Sequence, residues 1–302
     1  MKRALVLGGG GPVGIAWEAG LLAGLLEGGV DVREADYVLG TSAGSFVGSQ
    51  VAAGRDMRKT VEAILAEADR QPSSQPTGAA KSKEERPAGP SPMMTLMRLM
   101  QEAADGKRPA QEVRVELGTF ALAAKTVDEE TFIKSFGRSL AGSGEGAWPK
   151  RHFACTAVDT ATGDFQVWDN DSGVSLAKAV ASSCSVPGVY PPISINGKRW
   201  MDGGMRSGVN ADLAVGHDKV MVVAVRLGGG DAQATERSRL SLEAELQVLR
   251  NDGAQVGLIV PDEASTKAFG PNLMDPRARP AAARAGYEQG LKLAPKAKQE
   301  WT

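Results

Sequence analysis

The chain has 302 residues, 42% hydrophobic and 24% charged, with a formal net charge of −1 at neutral pH. That balance excludes a basic nucleic-acid-binding field and an acidic disordered tail, and the length allows one large buried core. No apolar stretch approaches the roughly 20 residues of a membrane span, and the four apolar residues after Lys2-Arg3 stop at a glycine cluster, short of a signal-peptide core, so a soluble cytoplasmic protein is expected.

Ala4-Leu5-Val6-Leu7 predicts a strand, and Gly8-Gly9-Gly10-Gly11-Pro12-Val13-Gly14 a tight turn into a helix whose apolar face carries Ile15, Leu21, Leu22, Leu25 and Leu26. Gly20 and Gly24, four apart, are expected to let this helix approach the sheet closely. A second strand, Tyr37-Val38-Leu39, runs directly into Gly40-Thr41-Ser42-Ala43-Gly44. A strand that ends in Gly-x-Ser-x-Gly and turns straight into a helix holds the serine hydroxyl on a sharp turn above the sheet edge, which makes Ser42 a candidate nucleophile. Ala43, Gly44 and Gly48 let the following helix lie tightly on strands, and two such helices point to an α/β sandwich.

Residues 56–69 predict an amphipathic helix with Val61, Ile64, Leu65 and Ala68 on one side. The composition then shifts: five prolines from Pro72 to Pro92, among Ser, Gly, Lys and Glu, predict a flexible surface insertion at about 71–92. Met93 to Met100 holds four of the ten methionines. Methionine suits adaptable apolar surface as well as irregular core, so 93–104 reads as a core helix or as a cap that would bind acyl chains. Strands are expected over 153–158, 165–168, 219–225 and 255–260. Residues 193–201 form a hairpin with Asn196-Gly197 in its turn, delivering the chain to Asp202-Gly203-Gly204. Cys155 and Cys184 lack metal spacing and are expected to be buried thiols; no metal and no cofactor are implied. Arg277 to Lys298 carries six basic residues and one acidic, a solvated helix or a face toward anionic lipid. The whole of 1–302 reads as one domain, and its oligomeric state is not encoded in any motif.

Serine is a weak nucleophile and needs a base within hydrogen-bond reach and donors for the oxyanion that its attack creates. The run Gly8 to Gly11 can turn several backbone N–H groups toward one point beside the serine strand, and the Ala43 N–H adds another. His152 begins a strand and His217 precedes one, neither presented by a glycine turn, so both read as structural. That leaves a carboxylate. Asp202 ends a hairpin strand, and Gly203 and Gly204 let the chain leave without crowding it. Gly9-x-Gly11-x-x-Gly14 also satisfies the dinucleotide-binding fingerprint, but that fold expects an acidic residue at the end of the second strand, where Gly40 stands. A P-loop is excluded because Ile15-Ala16 follows Gly14.

The glycine run with Gly14, Gly40-Thr41-Ser42-Ala43-Gly44, Asp202-Gly203-Gly204 and the segment Ala181 to Pro192 occur in the order and spacing of the patatin-like phospholipases, which residues 3 to about 230 resemble. The resemblance implies a three-layer α/β/α sandwich with a mostly parallel sheet. It also implies a Ser42–Asp202 dyad with Asp202 as general base, an oxyanion hole from the Gly9, Gly10 and Gly11 backbone, and hydrolysis of a lipid or acyl ester with peripheral membrane contact. Val13 stands where that family often carries Arg or Lys, so esterase or lysophospholipase activity on smaller or less anionic lipids fits as well. A catalytically silent lipid-binding protein on the same fold is the alternative.

Overall fold

The computed structural model describes residues 1–69, 91–140, 147–225 and 232–301. In chain order its elements are β1 (Arg3–Leu7), α1 (Gly11–Glu27), β2 (Tyr37–Gly40), α2 (Ala43–Ala52), α3 (Met57–Asp69), α4 (Pro92–Ala104), α5 (Ala110–Ala123) and α6 (Glu129–Leu140). They continue with β3 (His152–Asp159), β4 (Phe165–Asp169), α7 (Leu176–Ser183), β5 (Ile193–Ile195), β6 (Lys198–Asp202), β7 (Lys219–Val223), α8 (Ala232–Asn251), β8 (Gln255–Ile259), α9 (Glu263–Phe269) and α10 (Arg279–Trp301). The strands expected from sequence are all present, with β7 ending two residues earlier than its apolar run.

Strands β8, β7, β1, β2 and β3 pair side by side in parallel, and β6, β5 and β4 add antiparallel pairings. Helices cover both faces, giving the three-layer α/β/α sandwich that the sequence implied. The period of two in β1 sets the layers: Ala4 and Val6 face a core shared with Leu242, Leu246 and Leu249 of α8, whereas Leu5 and Leu7 face the core that contains Trp17 and Leu21 of α1.

The arrangement of β3 positions the site. Its parallel register with β2 runs from Tyr37–His152 to Gly40–Cys155, and its antiparallel register with β6 runs from Ala157–Asp202 to Asp159–Trp200. β4 pairs with residues 154–158 and so overlaps both registers. A strand has only two edges, so β4 holds one and β2 and β6 share the other. They meet there head to head, the end of β2 facing the end of β6 across Thr156. The Asn196-Gly197 turn, with φ of 52° and 75°, returns the chain tightly enough for β6 to do this.

Gly20 and Gly24 serve a different partner from the one expected. A side chain on either would collide with the backbone carbonyl of Ala283 or Tyr287 in α10, and one on Gly286 or Gly290 would collide with α1 in return. These glycines bring two helix backbones together rather than a helix and the sheet. In α2, Gly44 packs on the Leu7 carbonyl and Gly48 on Val38 and Phe153, so that helix does lie on strands as expected.

The expected insertion at 71–92 lies outside the described residues except for Ser91 and Pro92, which open α4; the Ser91 hydroxyl accepts the Met94 N–H at 3.3 Å. Leu96 and Leu99 of α4 join Val113 and Leu117 of α5 in a small core with Val158 and Met201, the residues beside the β3–β6 junction. Met94 and Met97 face outward, 63% and 44% exposed. The methionine segment thus contributes core on one side and apolar surface on the other.

The glycine contacts predict opposite outcomes for one substitution in two helices. Gly20→Ala drives a methyl into the α10 backbone and should destabilise the protein by about 1–3 kcal/mol in urea unfolding. Gly137→Ala in α6, where a Cβ meets nothing, should stabilise by up to about 1 kcal/mol through helix propensity.

Candidate active site

Ser42 sits between β2 and α2 with φ 52° and ψ −117°, a conformation that costs a non-glycine residue roughly 1–3 kcal/mol. Its neighbours hold it there. The Ser42 N–H donates to Ser183 Oγ at 3.0 Å, and its carbonyl accepts from Ser45 Oγ at 2.7 Å and Cys184 Sγ at 3.2 Å. The Gly44 N–H donates to the Gly8 carbonyl at 3.0 Å, fastening the start of α2 to the glycine loop. A Cβ on Gly40 would strike the Gly44 and Ser45 backbone, so the turn closes only with glycine there.

Asp202 is 2% exposed at the end of β6. Its N–H donates to the Ser185 carbonyl at 3.0 Å, and its Oδ1 accepts the Gly204 N–H at 2.7 Å. Oδ2 is buried and has no hydrogen-bond partner among the described residues. Burial pushes the carboxyl up to about 7, opposed by the Ser42 hydroxyl and the Gly204 N–H. Gly203 packs so closely on Thr156 that a Cβ would overlap its side chain. The Thr156 and Thr41 hydroxyls share a hydrogen bond of 3.0 Å, and Asn210 Nδ2 donates to Thr41 Oγ1 at 3.0 Å, tying together the three segments that converge on the β2–β6 junction.

The glycine run lies beside Ser42: a Cβ on Gly9 would stand 3.3 Å from Ser42 Cβ. Its amides divide into two groups. The Gly8 N–H continues the sheet to the Val223 carbonyl at 2.9 Å, and the Gly9 N–H is taken by the Gly208 carbonyl at 2.7 Å. The Gly10, Gly11 and Ala43 N–H groups have no acceptor among the described residues. Of the expected oxyanion donors, Gly9 thus gives its hydrogen to the Gly208 carbonyl in this structure. Gly14 packs the start of α1 against Val225 and Ala43: a Cβ there would stand 3.3 Å from Val225 Cγ1 and 3.5 Å from Ala43 Cβ.

The histidines are at the other end of the sheet. Both rings lie against Tyr37, the first residue of β2, at 5.1 Å for His152 and 5.2 Å for His217, whereas Ser42 follows the last. Cys155 and Cys184 are both free and buried, as expected. Ser183 and Cys184 fall inside the segment whose resemblance the sequence made visible, although their bonds to the Ser42 backbone were not legible there. Thr156, Asn210 and Glu18 carried no sequence signal. Glu18 lies on α1 one turn after Gly14; it is fully buried, neither oxygen has a hydrogen-bond partner among the described residues, and burial raises its carboxyl well above the ordinary range. Among the described residues no group of three or more His, Cys, Asp or Glu side chains is placed to hold a metal, and no helix is long and apolar enough to cross a membrane.

The family model for patatin-like phospholipases matches residues 5–215, which include the glycine run, Ser42 and Asp202. The chain belongs to the patatin-like phospholipase family. Among solved structures, VipD from Legionella pneumophila is similar at 15% identity and a TM-score of 0.45 over 98% of this chain and 67% of that one. The type III effector protein ExoU matches at 14% identity and a TM-score of 0.42, with 99% of this chain covering 54% of that one. ExoU in complex with SpcU, from the type III secretion system of Pseudomonas aeruginosa, matches at 17% identity and a TM-score of 0.34, covering 96% and 53%. The chain thus spans about half the length of ExoU. Comparison with curated proteins finds no match. In the patatin-like frame the glycine run is a neighbour of the serine turn, and the dinucleotide reading of the same residues falls away.

The raised carboxyl gives Asp202→Asn a defined stability signature. An unfolded aspartate ionises near pH 4 while the folded one keeps its proton to about 7, so this group removes stability as pH rises between those values. Asp202→Asn should therefore unfold at higher denaturant concentration than the unsubstituted protein above pH 7, by on the order of 4 kcal/mol at most, and the gain should vanish near pH 4.

Proposed function

We propose that the chain hydrolyses lipid acyl esters through a Ser42–Asp202 dyad and an acyl-enzyme. The observation that carries this reading is the junction itself: a serine on a left-handed turn whose hydroxyl acts on a buried carboxyl with one unpartnered oxygen. Asp202 in its ionised form accepts the proton from Ser42 Oγ as that oxygen attacks the ester carbonyl. The Gly10, Gly11 and Ala43 N–H groups receive the oxyanion. Collapse of the tetrahedral species expels the alcohol, which takes the proton from Asp202. Water then attacks the acyl-enzyme with Asp202 again as base, and the fatty acid leaves from Ser42.

A carboxylate near its ordinary range is a poor base for a serine hydroxyl; burial brings Asp202 to about 7 and makes it a better one. The exposed Met94 and Met97 of α4 and Leu122 of α5 support a transient contact with the lipid surface. Val13 in place of a basic residue favours lysophospholipids and smaller esters over strongly anionic lipids. A catalytically silent lipid-binding protein on the same fold is the second reading.

Turnover of short acyl esters, lysophospholipids and diacyl phospholipids tests the assignment. Ser42→Ala and Asp202→Asn should each lower kcat/KM by about 10³-fold or more, and wild-type rates in either folded variant would exclude the dyad. In the unsubstituted enzyme kcat/KM should rise with pH through about 7 as Asp202 loses its proton, and no such limb should remain in Asp202→Asn. A fluorophosphonate separates the two readings, since an active hydrolase is labelled stoichiometrically at Ser42 and a silent binding module is not.

A further inference from the structure

The beginning of α1 is covered by a turn from far along the chain. The Val13 N–H donates to the Leu273 carbonyl at 3.2 Å. A Cβ on Gly11 would lie 2.8 Å from Met274 Sδ and 2.9 Å from the Leu273 oxygen, so that turn rests directly on the glycine loop. We propose that the turn Asn272–Asp275 positions the oxyanion loop, with Leu273 and Met274 as positioning residues for the Gly10 and Gly11 amides. The turn lies outside the family-matched residues 5–215, and the proposal rests on the hydrolase reading above.

Gly11 is the residue that needs such support. It takes φ +58°, and the next residue, Pro12, has no N–H with which to fix the first turn of α1. Val13 is therefore the first amide after Gly11 that can anchor the helix start to another segment, and Leu273 supplies its acceptor.

The turn is itself well defined. Asn272 Oδ1 accepts the Met274 N–H at 3.0 Å, and the Asn272 carbonyl accepts the Asp275 N–H at 3.0 Å. Both flanks are fastened to α1. On the α9 side, Trp17 Nε1 donates to Ser265 Oγ at 3.0 Å and the Trp17 ring meets Phe269 edge-on at 5.9 Å. On the α10 side, the interlocked glycines hold the two helix backbones together. With both ends of the turn fixed to the helix it covers, its place over the loop is set by packing that involves none of the catalytic side chains.

Oxyanion donors act at 2.7–3.1 Å from the developing charge, and a displacement of about 1 Å can cost 10²-fold. Loosening the turn should therefore weaken transition-state binding and leave ground-state binding in place. Asn272 is exposed and Met274 half-buried, so substitutions there spare the main core.

The experiment compares Met274→Ala, Asn272→Ala and the conservative Met274→Leu with the unsubstituted full chain, each checked by thermal unfolding. In the two alanine variants kcat should fall about 10- to 100-fold with KM little changed. Inhibition by an alkyl trifluoromethyl ketone, whose serine adduct carries the oxyanion, should weaken in step, whereas binding of the product fatty acid should not. Met274→Leu should restore most of kcat. Unchanged kcat in either folded alanine variant overturns the proposal, as does a loss shared equally by the ketone and the fatty acid. Asn272→Ala keeps the test available should Met274→Ala fail to fold. If fluorophosphonate labels Ser42 in the unsubstituted protein and in both alanine variants at one rate, the positioning role is refuted and the hydrolase reading stands. If Ser42 is never labelled and no ester is turned over, the hydrolase reading is refuted and this inference with it.

Discussion

One edge of one strand is shared by two others, and the site follows from that. β3 is long enough to take β2 along its first half and β6 along its second, with β4 holding the opposite edge. Because β2 runs parallel to β3 and β6 antiparallel, their carboxyl ends point at each other. The serine that leaves one and the aspartate that ends the other are brought together by register, although 160 positions separate them in the chain. Thr156 marks the gap, its hydroxyl bonded to Thr41 and its backbone pressed by Gly203.

Both members of the pair are held in states that an isolated segment would not adopt. Ser42 is in a left-handed conformation, and Asp202 is a carboxyl almost without access to water. The bonds from Ser183, Ser45 and Cys184 to the Ser42 backbone, and from Gly204 to Asp202, offset part of that cost. The part of that cost due to the burial of Asp202 is what raises its carboxyl toward neutrality. The same desolvation of Asp202 thus lowers stability above about pH 4 and makes its carboxylate a stronger base.

The glycines divide by task. Those of the serine turn and of Asp202-Gly203 admit backbone where a Cβ would collide, so that strands and turns converge. Those of α1 and α10 merge two helices into one rigid unit, which carries the Asn272–Asp275 turn to the start of α1. The spacing of Gly20 and Gly24 announces a close approach in either case; it cannot say whether a strand or a helix is the partner, because both present a backbone at that distance.

Local sequence determined the strands, the serine turn, the Asn-Gly hairpin and the order of the motifs, since each depends on conformational preferences within a few residues: glycine where φ is positive or space is absent, apolar alternation where a strand is buried. It also left no histidine presented for a triad. Tertiary structure decided the rest. Which edge β6 takes, that Gly9 gives its hydrogen to Gly208, that Glu18 is fully buried, and that residues 272–275 cover the glycine loop are all decided by contacts between segments distant in the chain. Register and burial fix such contacts, and neither is a property of any single stretch of sequence.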